Sequence, residues 1–172
     1  TDRRRRVRAM SRTIRAEPLT AEGFAPFGDV LEATGTPDFM INAGLCGRHH
    51  DLARPETDAD GTLSLSVGRS EAITLPLSLG MMERHPHGSQ AFVPMAGTQF
   101  LVIVAGDEDG TPGTPRAFLT NGSQGIQYRM NCWHGVLAPL AGPADFLIVD
   151  RVGPGDNLEE HHLAEPYTIV TD

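Results

Sequence analysis

Two histidines stand one residue apart in the segment Glu83-Arg84-His85-Pro86-His87-Gly88-Ser89-Gln90. Neutral imidazole is the commonest nitrogen ligand of divalent metals and carries protons readily near neutral pH. On an extended strand, residues i and i+2 face the same way, so the spacing predicts that His85 and His87 enter one cavity. Gln90 follows, and an apolar run leads on to Gly97. A second segment, Asn131-Cys132-Trp133-His134, offers a further imidazole. A metal needs three or four donors converging at about 2.0–2.2 Å from one point. One strand supplies two of them and a neighbour the rest, which makes His85, His87, Gln90 and His134 the candidate metal set. A set built from imidazole and amide carries little negative charge and leaves a bound ion strongly Lewis acidic. The alternative is plain loop chemistry: a His before Pro at a strand end, and a chance pairing among seven histidines.

Other residues carry weaker signals. Cys132 and His134 would share a strand face, the arrangement of a thiol nucleophile and its base; a small buried thiol is the simpler reading. Arg69, Arg48 and Arg84 lie beside these segments, and a guanidinium inside a barrel suits a carboxylate substrate by two-pronged pairing. For any one of them a surface ion pair is the competing reading. Trp133 reads as core. His49-His50 and His161-His162 have no second cluster nearby and read as surface or loop pairs.

The elements that must position these groups are short strands. With 19 Gly and 13 Pro among 172 residues, turns punctuate the chain too often for a helical bundle. Thr62 to Gly68 alternates apolar and small polar residues at period two, and Phe100 to Ala105 is an unbroken run of β-formers suited to a central strand. Leu75 to Glu83, Ala91 to Met95, Arg116 to Thr120, Gly125 to Met130, Trp133 to Leu137 and Asp145 to Asp150 complete the strand set. Thr20 opens a single helical turn as its N-cap. Phe39 to Leu45 reads as extended, and the tail from Leu158 to Asp172 as a short helix followed by an extended piece. The pattern predicts an all-β fold, a barrel or sandwich with few, short helices.

Charge and cysteine use narrow the partners. The net charge is −8, and five Arg within residues 1–9 make the remainder more acidic still, which disfavours nucleic acid. Residues 1–10 read as a disordered basic leader, and residues 11–172 as one domain. Cys46 and Cys132 allow one disulfide at most; free thiols in the cytoplasm are the expectation. No apolar stretch approaches the roughly 20 residues of a membrane helix.

These parts resemble the cupin motifs imperfectly. The first motif, G-x5-H-x-H-x3–4-E-x6-G, is matched by His85-x-His87-x2-Gln90-x6-Gly97, one residue short and with Gln for Glu. The second is echoed by Gly125-x5-Asn131-x-Trp133-His134. A more specific likeness runs from about Ile14 to Asn157. Its carriers include Phe27-Gly28-Asp29-Val30, Arg48-x-His50-Asp51-Leu52-Ala53, Glu83-Arg84-His85-Pro86 and Gln90-Ala91-Phe92-x-Pro94-Met95-x-Gly97. Further on come Tyr128-x-x-Asn131-x-Trp133-His134, Asp145-Phe146-Leu147-x-x-Asp150-Arg151 and Asp156-Asn157. The chain thereby resembles the ureidoglycolate lyase family.

That resemblance implies a cupin-like β-barrel of jelly-roll type, paired as a homodimer through sheet surfaces. It implies cleavage of (S)-ureidoglycolate to glyoxylate and urea in allantoin breakdown. His87 is not a required position in the family pattern, so the dependable donors become His85, Gln90 and His134, joined by Glu83, for nickel or another divalent ion. His85, His134, Glu83 and Tyr128 are the expected catalytic residues. Arg69, Gln90 and Asn131 are the expected substrate contacts, Arg69 as the carboxylate clamp. The rivals are an amidohydrolase releasing ammonia from the same compound and a non-catalytic cupin that binds a small acid.

Overall fold

A computed structural model describes residues 12–172; the expected basic leader over residues 1–10 lies outside them. The chain begins with β1 (Thr13–Arg15), β2 (Glu17–Pro18), α1 (Ala21–Phe24), β3 (Gly28–Leu31), β4 (Phe39–Ile41) and β5 (Cys46–Arg48). Next come β6 (Thr62–Ser70), β7 (Leu77–Arg84), β8 (Gln90–Pro94), β9 (Phe100–Ala105), β10 (Asp107–Glu108), β11 (Thr111–Pro112) and β12 (Arg116–Leu119). It ends with β13 (Gly125–Tyr128), β14 (Trp133–His134), β15 (Ala138–Pro139), β16 (Ala144–Val152) and β17 (Glu159–Val170).

Two large sheets form the cupin-like barrel. One runs β1-β17-β7-β14-β9-β12-β2, with β15 also on β9, and the other runs β3-β13-β8-β16-β6. Strand β9 is buried throughout, as its unbroken apolar run predicts, because it separates two cores. Phe100, Val102 and Val104 face the barrel interior with Phe24, Phe118, Phe92, Ile126 and Phe146. Leu101, Ile103 and Ala105 face outward into a second cluster with Leu79, Met82 and Trp133. Helix α1 is one turn, opened by the Thr20 hydroxyl, which accepts from the Gly23 N–H at 3.0 Å. It is the one α-helix among the described residues, and none is long and apolar enough to cross a membrane.

Two expectations change. The tail forms no helix: β17 pairs with β7 over its length, with a register shift between His162 and Tyr167. A ladder against a neighbouring strand overrides the weak local helical preference of Glu159 to Ala164. The segment Phe39 to Leu45 is not one extended piece but the first half of the β4–β5 hairpin. Asn42, Ala43 and Gly44 turn the chain with φ of 51°, 55° and 82°.

Strand β6 shows the inverse of ordinary patterning. Ser64, Ser66 and Gly68 lie opposite Asp150, Ile148 and Phe146, on the inner face. Its apolar set therefore points out: Leu63, Leu65 and Val67 are 44, 71 and 59% exposed. With a side-chain period of two, that strip is displayed on the outside of the sheet at the β6 edge.

Candidate active site

Strands β7 and β14 build one wall. His134 lies opposite Glu83 in the antiparallel ladder, so both side chains point to the same face, inward beside Val104. His85 follows directly after β7 and turns its ring back over the same space, 5.2 Å centroid to centroid from His134. One ligand atom each from Glu83, His85 and His134 lie within 4.8 Å of one another.

Hydrogen bonding fixes the tautomer of both rings. His85 Nδ1 lies 2.8 Å from the Asn157 carbonyl oxygen, and His134 Nδ1 lies 2.8 Å from that of Gly135. A carbonyl only accepts, so each Nδ1 carries the proton and each neutral ring keeps a bare lone pair on Nε2. Both Nε2 atoms are buried without any hydrogen-bond partner among the described residues. Two orphaned acceptors facing a carboxylate are costly in an inert core and ordinary in a site that binds a ligand. They fit a divalent ion: three donors converge and open positions remain.

Burial tunes these groups apart. It drives the His134 imidazole down to about 4; the Gly135 carbonyl opposes this, and His85 adds to it. It raises the Glu83 carboxyl, helped by Glu160 and resisted by His85. Tyr128, on the facing sheet, stacks on His134 with centroids 4.3 Å apart and planes 7° apart. Its phenol is pushed well above its ordinary range by burial and by the nearby Cys132 and Glu83, so it stays a hydrogen-bond donor.

The structure sorts the remaining expected residues. Gln90 lies opposite Tyr128 on the inner face, its amide donating to Asp150 at 3.0 Å. It stands on the other sheet from the imidazoles, beside Tyr128 in the ladder. His87 leaves the metal set: β7 ends at Arg84, the chain turns at Pro86, and alternation does not run through a turn. His87 Nδ1 instead sits 3.3 Å from Asp58, which also receives the buried Arg151 guanidinium. Arg69 is no inward clamp, because it lies opposite Asp145 on the outer face and grips that carboxylate with two bonds of 2.7 and 2.9 Å. The side chain of Asn131 is exposed; its backbone N–H donates to the His85 carbonyl and holds the two wall segments together. Cys132 is half-buried, its thiol pushed up to about 12, and it is no nucleophile at neutral pH.

A clamp behind the wall keeps the site in register. Arg84 stacks over Trp133 at 4.4 Å and pairs with Asp107 and Glu159, while the Trp133 indole N–H donates to Asp107 at 2.9 Å. Arg84 and Trp133 are the chain neighbours of His85 and His134. Asn157 adds a second brace, since its carbonyl accepts from His85 Nδ1–H and its side chain accepts from the His87 backbone N–H. Sequence reasoning passed over Asp150 and Asn157 as site residues, although both fall within the family likeness.

Comparison with known proteins identifies a family. The family model for ureidoglycolate lyase matches residues 11–170. A ureidoglycolate lyase of Rhodobacter capsulatus is 56% identical over 89% of this chain and 95% of its own. One from Chelativorans is 54% identical over 92 and 96% of the two chains, and ureidoglycolate lyase 2 of Rhizobium meliloti 50% over 88 and 94%. With matches of this identity over most of its length, the chain belongs to the ureidoglycolate lyase family.

Proposed function

We propose that this protein is a lyase that splits (S)-ureidoglycolate into glyoxylate and urea, within allantoin and purine-nitrogen breakdown. The observation that carries the reading is the pair of buried, unpartnered Nε2 lone pairs facing Glu83. The reaction needs a hydroxyl proton removed, the adjacent C–N bond broken and a proton returned to the departing nitrogen. A buried site that already contains acceptors and a proton carrier would hold the reactant in that geometry.

The roles follow from the environments. Glu83, made more basic by burial, takes the hydroxyl proton; its carboxyl then delivers that proton to the urea nitrogen as the C–N bond breaks. One proton leaves oxygen and one arrives on nitrogen, so the step balances. Tyr128 donates to the oxygen that becomes the aldehyde carbonyl. His85 and His134, with one oxygen of Glu83, would hold a divalent ion such as nickel, which when bound would supply Lewis-acid polarisation of the substrate, the second Glu83 oxygen being left for the proton.

The protein works as a homodimer in the cytoplasm on a small organic acid, without nucleic acid or membrane partners. The outward strip of Leu63, Leu65 and Val67 supports pairing with a second copy, whose identical strip is complementary to it. Cys46, exposed and unpaired, suits a reducing compartment. Residues 11–172 form one catalytic domain. The test is product analysis: ureidoglycolate is incubated with chelator-treated and metal-restored protein, and urea and ammonia are quantified. Urea with glyoxylate in equal amounts is the expected result. Ammonia as the nitrogen product would assign the amidohydrolase reaction, and no product at all a binding role.

A further inference from the structure

The wall opposite the imidazoles holds a carboxylate that the roles above leave unused. Tyr128, Gln90 and Asp150 lie side by side across β13, β8 and β16, each opposite the next in the ladder. Two residues away on the same inner face lie Ile126, Phe92 and Ile148. All three strands thus change from apolar to polar at one level, the level at which Tyr128 meets His134. A carboxylate on the inner face of a core strand breaks the strand's own pattern, and such breaks mark functional positions.

We infer that Asp150, held by Gln90, recognises the ureido end of the substrate; this rests on the function proposed above. Gln90 must donate through Nε2 to a carboxylate that only accepts, and that bond fixes the amide orientation. Gln90 Oε1 and one Asp150 oxygen remain without partners among the described residues. Both are acceptors. A ureido group, –NH–CO–NH2, carries three N–H donors, and two neighbouring acceptors match two of them. Adjacent strands lie about 4.8 Å apart, so Tyr128 and Asp150 are separated by about 10 Å of sheet. The chain from the hydroxyl carbon to the terminal nitrogen of ureidoglycolate spans roughly 4 Å, and a hydrogen bond of about 2.9 Å at each end extends its reach to about 10 Å. The substrate can therefore keep its hydroxyl beside Glu83 and His134 while its ureido group reaches toward Asp150. Specificity for a urea-bearing acid over a plain hydroxy acid arises at this row.

The test uses two probes on the full chain. N-carbamoylglycine keeps the ureido group and carboxylate but lacks the hydroxyl and cannot be cleaved. Glycolate keeps the hydroxyl and carboxylate but lacks the ureido group. Calorimetric titration of wild-type protein and of Asp150→Asn should show N-carbamoylglycine weakened about 10- to 100-fold by the substitution, since the new amide turns N–H toward N–H. Glycolate affinity should stay within about twofold. Equal weakening of both probes, loss of both, or unchanged N-carbamoylglycine affinity overturns the inference. If wild-type protein yields no urea from ureidoglycolate while Asp150→Asn still loses only N-carbamoylglycine, the reaction is wrong and the ureido site stands.

Discussion

Lowering the pH should destabilise this protein through His134 by an amount the structure sets. The residue is 2% exposed, and burial is the main cause that carries its imidazole from 6.5 in the open chain to about 4 when folded. The folded state therefore resists a proton that the unfolded state accepts. The stabilisation is complete above pH 6.5 and is lost progressively as the pH falls toward 4. A shift of this size corresponds to about 3 kcal/mol over the full window, and to about 2 kcal/mol between pH 7 and pH 5. Other groups titrate in the same range, so the measurement is a difference. Chelator-treated wild-type protein and His134→Gln are unfolded with urea at pH 7 and at pH 5. The wild type should lose about 2 kcal/mol more than the variant across that interval. Equal losses would mean that His134 takes up its proton freely in the folded state, and the dry environment argued for the site would be refuted.

Three other outcomes follow from the packing. Arg84→Ala removes the stack on Trp133 and two ion pairs whose carboxylates are half-exposed and can rehydrate; urea denaturation should show a loss of about 2 kcal/mol, less than for a fully buried pair. Leu65→Asp places a charge in the outward strip, and light scattering after gel filtration should show the dimer falling to monomer; a wild type that is monomeric at every concentration removes that proposal. Arg69→Ala should leave the KM for ureidoglycolate within about twofold, because its guanidinium is bound to Asp145 on the outer face; a tenfold rise would put it back on the substrate.

What the sequence disclosed, and what it hid, depended on knowing faces. The β9 run, the Thr20 cap and the two-segment convergence of His85 and His134 were legible because burial, capping and alternation act locally or along one strand. His87 misled because i,i+2 logic assumes an unbroken strand, and Pro86 sits in the turn that breaks it. Arg69 misled because nothing in Thr62 to Ser70 tells which alternate set faces in, and the apolar set faces out. Asp150 was hidden because an acid at the end of an apolar strand reads as solvent-facing. Only its register with Gln90 reveals the inward direction. The tail was misread because its ladder partner, β7, lies some 80 residues away in the chain and dictates its conformation.

If the bare Nε2 atoms of His85 and His134 serve the cleavage of ureidoglycolate, removing either ring stops it. Urea release by wild-type protein, His85→Ala and His134→Ala, each shown folded by circular dichroism, tests it most directly. The wild type should release stoichiometric urea and glyoxylate, and each variant should be at least about 100-fold slower. Wild-type turnover in either variant would contradict it.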